Sequence, residues 1–293
     1  MAEELIVEGV RLSNPDKILW PEQGLTKADL ARYYVAVADR MLPHVAGRPV
    51  TMVRCPTGAE KKCFYQRHAG SGVLPQLREI TVPGFDDPYL YIEDLPGLVA
   101  MVQMGTLEIH PWGVTVEKPD RPDRIIFDLD PDEGLGFGEV VTAALEVRER
   151  LQRIGLESFV KTTGGKGLHV VVPVEPVTEW RAAKSFAKRF SDEMAADTPD
   201  RYLTRISKAE RAGRIFIDYL RNDPTSTAVG PYSTRSRPGA PVAMPIEWAE
   251  LGAPLDPGSF NVATAPGRVQ ATKDPWEGIG LVQQRLPIEP SKG

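Results

Sequence analysis

The chain has 293 residues, 42% of them hydrophobic and 26% charged, with a formal net charge of −5. That is the composition of an ordinary globular protein with enough chain for one large domain or two smaller lobes. No apolar run approaches the length of a membrane span and the opening MAEELIVEGV lacks the regions of a secretory signal, so the expectation is a cytoplasmic protein with no membrane partner.

In chain order, Thr26 caps a helix running to about Met41, with Asp29 three residues on and Leu30, Tyr33, Val37 and Met41 along one face. PHVAGRPVTMVRCP reads as a turn followed by a strand. Cys55, in that segment, and Cys63 are the only cysteines, which excludes a disulfide framework and a cysteine-rich zinc site. Residues 75–97, rich in Pro, Gly and Asp, read as loops with short strands. RIIFDLD (124–130) is a strand ended by Pro131. Val140, Ala144, Val147, Leu151 and Ile154 repeat at helical spacing, with Gly155 as the stop. KTTGGKGLHVVV (161–172) is a glycine-rich loop feeding a strand. A helix from Thr178 buries Trp180, Ala183, Ala187, Phe190 and Met194, and RIFIDYLR (214–221) is a further strand. The Pro- and Gly-rich tail beyond about residue 250 is expected to wrap the surface. Strands and helices interleave without a strict βαβ rhythm, which predicts a mixed α/β fold in two lobes.

The chemistry concentrates in three places. The loop 161–172 is not the standard phosphate loop, because Gly167 follows Lys166 where that loop has Ser or Thr, and a strand follows instead of a helix. Asp128 and Asp130 alternate onto one face at the end of their strand, a face they share with Ile126, so the acids mark where it leaves the core. Asp128, Asp130, Asp132 and Glu139 match four positions of a calcium loop, but Glu133 stands where its sharp turn needs glycine. Asp218, embedded in an apolar strand, is expensive to bury without a cation. Three strand aspartates suit two magnesium or manganese ions. Between Arg201 and Gly239 eight basic residues face three acidic ones, a local charge of +5 that leaves −10 for the rest. Metals beside clustered arginines point to phosphoryl or nucleotidyl transfer. A D-x-D glycosyltransferase would need neither the third aspartate nor the basic stretch.

FDLDP, TTGGKGLHVVVP, RAGRIFIDYLRN and PYSTR, in this order and spacing, resemble the polymerase domain of bacterial DNA ligase D, in the archaeo-eukaryotic primase superfamily. The likeness runs from SNPDKILWPEQGLTKADLARYY to about residue 250. It implies a two-lobed mixed α/β primase-polymerase fold with the active site on a mainly antiparallel sheet. It also implies one domain over 1–293: a DNA-end-binding part over roughly 1–115, a catalytic core over 116–250 and the tail 251–293. By the same resemblance, Asp128, Asp130 and Asp218 hold two Mn2+ or Mg2+ ions, and Thr163, Lys166 and His169 grip the nucleotide phosphates, Thr163 standing where relatives usually have serine. His110 lies near the metals, and Lys208, Arg211 and Arg235 surround the triphosphate and template. Phe64 and Tyr65 match an aromatic pair of which the first or the second ring stacks on a base. Asn14, Lys17 and Lys27 form a pocket for a DNA 5′-phosphate, with Lys27 in a first helical turn whose free N–H groups favour an anion.

The implied activity is template-directed extension of primers at DNA breaks and short gaps in non-homologous end joining, preferring ribonucleotides, in the cytoplasm at the nucleoid. Its substrates are an NTP or dNTP and gapped or broken DNA. By the resemblance alone Ku is an expected partner, and since no K-x-D-G motif is present end sealing is expected from a separate ligase. Alternative roles are a primase, an excision-repair gap filler or a non-catalytic DNA-end-binding protein, the last disfavoured by the intact carboxylate trio.

Overall fold

Thr26 and Asp29 form the reciprocal capping box that their spacing predicts, each side chain accepting from the other's backbone N–H. The helix they open, α1 (Lys27–Val45), runs one turn past the expected end and carries Pro43 in its last turn. In this computed structural model, which describes residues 5–70, 72–207 and 210–288, the chain divides into two compact units, each discontinuous in sequence.

The first unit takes its described residues from Met1–Trp112, Val229–Met244 and Asp256–Asp274. Two hairpins precede α1: β1 (Leu5–Val7) with β2 (Val10–Leu12), and β3 (Ile18–Trp20) with β4 (Leu25–Thr26). The strand expected after α1 is β5 (Val50–Arg54), and it pairs with β6 (Phe64–Gln66). A further hairpin, β7 (Arg78–Ile80) and β8 (Tyr89–Tyr91), occupies the region read as loops with short strands. After it come α2 (Leu95–Gln103) and β9 (Thr106–Pro111), and β9 completes an antiparallel sheet of order β6-β5-β9. Neither α2 nor β9 is expected from the sequence. The reason for α2 is physical: Leu98 to Val102 are all fully buried, so the helix has no polar face and shows no period. Asp94 caps it by accepting from Gly97 N at 3.0 Å.

The second unit takes its described residues from Gly113–Ala228, Pro245–Leu255 and Pro275–Gly293. Its elements are β10 (Arg124–Pro131), α3 (Phe137–Arg153), β11 (Phe159–Thr162), β12 (Leu168–Pro173), α4 (Trp180–Asp197), β13 (Tyr202–Leu203), β14 (Ile215–Asp218) and β15 (Pro245–Ile246). The strands form one sheet, β13-β14-β10-β12-β11-β15, antiparallel throughout except between β13 and β14. Its mixed α/β, mainly antiparallel character agrees with the expectation. Along β10, Ile125, Phe127 and Leu129 are fully buried, and Phe127 meets Phe190 of α4 at 4.8 Å between ring centroids. The five residues expected inside α4 are all buried. β14 stops four residues into the expected strand 214–221, because the side chain of Asn222 replaces the ladder there. Its Oδ1 accepts from Ile126 N and its Nδ2 donates to Ile126 O, both at 2.8 Å.

One expectation is corrected here. The tail does not simply wrap the surface. Phe260, Val262 and Ala265 are buried in the first unit, where α5 (Ala265–Ala271) lies against α1. In the second unit Trp276 and Ile279 pack on Val171, Ile126 and Phe159, and Trp276 Nε1 donates to Val160 O at 3.0 Å. An alternating or periodic pattern is what a sequence shows, and isolated anchors in a Pro- and Gly-rich segment show none. The two cysteines, too few for a framework, are joined as a single disulfide, Cys55–Cys63. Arg54 pairs with Phe64 across the β5–β6 hairpin, so the residues just beyond that pair face one another, 4.3 Å apart at Cα.

Candidate active site

The face of the sheet opposite Phe127 carries two consecutive rows. The first is apolar: Phe159 pairs with Val171, and Val171 with Ile126, under Trp276 and Ile279. Two residues further along each strand the same face turns polar. Lys161 on β11 stands opposite His169 on β12, His169 opposite Asp128 on β10, and Asp128 opposite Asp218 on β14. Four strands thus place four ionisable side chains in one row, and Asp130, two residues beyond Asp128, extends it at the exposed strand end.

Arginines tie the carboxylates together. Arg221 Nε donates to Asp128 Oδ2 at 3.2 Å and its Nη2 lies 2.9 Å from Asp218 Oδ2. Arg211 Nη1 donates to Asp130 Oδ2 at 2.8 Å while its guanidinium stacks 4.2 Å over the Phe216 ring. His169 Nε2 is 3.4 Å from Asp128 Oδ1. Burial opposes the charge of Asp128, but His169, Arg221 and Lys161 outweigh it and hold its carboxyl well below the usual range. Asp130 and Asp218 move the other way: burial and the negative charge of Asp128 raise both, against the pull of Arg211 on one and Arg221 on the other. Burial, with Lys161 next, pulls His169 down to about 4, so it is a neutral imidazole at pH 7.

Among the described residues three carboxylates therefore face three cations, Lys161, Arg211 and Arg221. The donor set is all oxygen and suits Mg2+ or Mn2+. Two of its members have raised pKa values, through burial first and the negative charge of Asp128 as well, both of which a bound cation would offset. By donor chemistry the residues fit such ions. Among the described residues, however, no group of three or more metal-ligating side chains is already gathered, and Arg211 and Arg221 occupy carboxylate oxygens of all three aspartates.

The glycine-rich loop sits against this row. Gly167 packs so close to β10 that a Cβ there would lie 2.5 Å from Leu129 O, and Gly164 adopts a left-handed φ of 67°. Thr163 is buried, and its hydroxyl donates to Gly167 O at 3.1 Å, holding the loop closed. Lys166 stands exposed at the tip. Lys208 lies outside the described residues.

Other expected site residues belong to the first unit. Glu108 Oε2 accepts from His110 Nε2 at 2.9 Å and from Arg235 Nε at 3.0 Å, while its Oε1 accepts from the backbone and hydroxyl of Ser236. Phe64 and Tyr65 are 42% and 68% exposed, with Arg54 over the Phe64 ring. At the start of α1 the expectation of free N–H groups fails. Lys27 N donates to Lys17 O, Ala28 N to Pro15 O and Asp29 N to the Thr26 hydroxyl. What remains for an anion is side-chain charge: Lys27 buried beside exposed Lys17, and Asn14 at a left-handed φ of 51°. No carboxylate among the described residues pairs with Lys27.

Residues 26–276 match the family described as LigD, primase-polymerase domain. The chain belongs to this family. It is 36% identical over 290 residues to the multifunctional non-homologous end joining protein LigD of Pseudomonas aeruginosa, covering 97% of this chain and 34% of that protein. To the protein of the same name from Mycolicibacterium smegmatis it is 37% identical over 252 residues, 84% of this chain and 33% of that one. The chain thus spans about a third of the length of these relatives. Among solved structures it resembles the polymerase domain of Mycobacterium tuberculosis ligase D in complex with DNA, with a TM-score of 0.85 and 33% identity. That match covers 93% of this chain and 98% of the other.

In this member of the LigD primase-polymerase family the structure adds Lys161, Arg221, Glu108 and Gln103 to the residues that the sequence singles out. Lys161 and Arg221 sit inside motifs quoted above, but only the cross-strand register brings Lys161 beside His169 and so into line with Asp128. Gln103 carries no local signal, since Lys27 lies 76 residues away, whereas Glu108 stands two residues before His110 and only its second cation, Arg235, comes from 127 positions on.

Proposed function

We propose that the chain is a template-directed nucleotidyltransferase that extends a primer 3′-hydroxyl with NTPs or dNTPs, ribonucleotides preferred, at DNA breaks and short gaps. The observation that carries this reading is the polar row on the sheet, Asp128 and Asp218 face to face with Asp130 beside them and the glycine-rich loop packed against β10. Asp128, Asp130 and Asp218 would hold two Mg2+ or Mn2+ ions, which lower the pKa of the attacking hydroxyl and stabilise the charge on the pyrophosphate. The residues supply the remainder. Lys166 at the loop tip offers its charge to a triphosphate, and neutral His169 can donate a hydrogen bond. Arg211 and Arg221, which neutralise the carboxylates here, would be placed to act as counter-charges for phosphate oxygens.

In the first unit, Phe64 and Tyr65 present rings for base stacking. Glu108 fixes Arg235 and His110 as a further polar cluster. Lys27, buried with neutral acceptors only, and Lys17 suit a DNA 5′-phosphate. The similarity to LigD proteins named for end joining supports a role in that repair, with Ku and a DNA ligase as partners, in the cytoplasm at the nucleoid. No helix among the described residues is long and apolar enough to cross a membrane.

The test is extension of a primer on a gapped duplex bearing a 5′-phosphate, with Mn2+ and either rNTPs or dNTPs. The native chain should incorporate nucleotides, rNTPs more readily, and Asp128→Ala should lose roughly 10²-fold or more, the scale for removing a group that stabilises transition-state charge. Tight binding to the gap without incorporation would favour an end-binding protein instead.

A further inference from the structure

Burying an ammonium is unfavourable unless both its donors and its charge are answered. Lys27 is 7% exposed, and its Nζ donates to Ser13 O at 3.0 Å and to Gln103 Oε1 at 2.7 Å. Both acceptors are neutral and an ammonium has three donors, so among the described residues one N–H and the whole charge are left over. Gln103, at the end of α2, spends its entire amide on this corner. Its Oε1 also accepts from Ser13 N at 2.9 Å, and its Nε2 donates to the Ser13 hydroxyl at 2.8 Å. A flipped amide would set NH2 against both the Ser13 N–H and the ammonium, so the network fixes its orientation.

A glutamate in the same place would neutralise Lys27, and a leucine would leave its donors unmet. Glutamine alone aims the ammonium without cancelling it. We propose that Gln103 is the positioning residue of an anion pocket at the start of α1, holding the Lys27 ammonium so that its third donor and its charge are reserved for a DNA 5′-phosphate. The inference rests on the reading of Asn14, Lys17 and Lys27 as that phosphate pocket and assigns the residue that sets it. Lys17 stands nearby with its ammonium donating to Pro56 O, while Asp29, the acid in the first turn, is engaged by Thr26 and Arg32. Burial, and then Lys17, pull the pKa of Lys27 down to about 8.

The experiment compares binding of the native chain, Gln103→Glu and Gln103→Leu to a gapped duplex with a 5′-phosphate and to its 5′-hydroxyl twin, as a function of pH. The readout is the ratio of the two affinities. The native chain should prefer the phosphate at neutral pH and lose that preference as pH rises through about 8, where Lys27 gives up its proton. Gln103→Glu should reduce the ratio about tenfold, the equivalent of 1.4 kcal/mol, and move the midpoint upward. Gln103→Leu should reduce the ratio and move the midpoint downward, because an acceptor of the charged form is gone. Lost packing cannot shift the midpoint in opposite directions. If Gln103→Leu does not fold, the nearly isosteric Gln103→Glu decides the matter. A native preference that both variants keep, with the same midpoint, overturns the role of Gln103. Absence of any preference in the native chain overturns the pocket itself.

Discussion

Glu108 shows how much one buried carboxylate can organise. It is 5% exposed and accepts from His110, Arg235 and Ser236, four donors in all. Burial opposes its charge, yet His110, Arg235 and Ser236 outweigh that and hold its pKa far below the ordinary value. A carboxyl with a depressed folded-state pKa contributes stability above its unfolded pKa and loses it as pH falls through and below that value. Glu108→Gln should therefore lower stability at neutral pH by about 3–5 kcal/mol, the scale for breaking a buried pair. It should also flatten the acid limb of the stability profile. Denaturant unfolding from neutral to acid pH checks both parts, and an unchanged acid limb would deny Glu108 this role. The sequence places His110 two residues away, but the cluster is hidden there because Arg235 arrives from 127 positions away.

At the scale of elements, β10, β12 and the loop before β12 are the most legible part of the molecule. The alternation in RIIFDLD put Asp128 and Asp130 on one face, and the structure finds Ile125, Phe127 and Leu129 fully buried on the other. The glycines marked a loop that must come close to something, but only the packing identifies it as the carbonyl of Leu129. Gly167→Ala would force that backbone contact apart. We expect a loss of about 1–3 kcal/mol, as for other overpacked sites, together with weaker nucleotide incorporation. Thermal denaturation and primer extension measure the two, and full activity at native stability would show that the close approach is dispensable. By contrast α2 was lost to sequence because a helix buried all round has no polar stripe to reveal it.

At the scale of the whole chain, the last forty or so residues contribute to both units. They supply Phe260, Val262 and α5 to the first, and to the second Trp276 and Ile279, which cover the apolar row beside the carboxylates. Ending the chain at residue 250 would uncover Ile126, Phe159 and Val171 one row from the site. Truncating a buried Trp alone has an effect of about 3–5 kcal/mol. The shortened chain should thus lose cooperative unfolding and nucleotide incorporation together, as followed by circular dichroism and primer extension. Native-like melting without residues 251–293 would mean that the tail is an ornament after all.

The sequence by itself determined the strand that carries Asp128 and Asp130, the helices with a periodic apolar face, the capping box of α1, and a motif order specific enough to reach the family. These are local or evenly spaced patterns, and a linear chain displays them directly. Only the tertiary structure decided that Lys161, His169, Asp128 and Asp218 share one row and that arginines hold the carboxylates. It alone also decided that the first N–H groups of α1 are already satisfied and that Gln103 and Glu108 govern the charges beside them. Each of these depends on strand register or on pairs far apart in sequence, and register is fixed by packing, not by any property of the residues taken one after another.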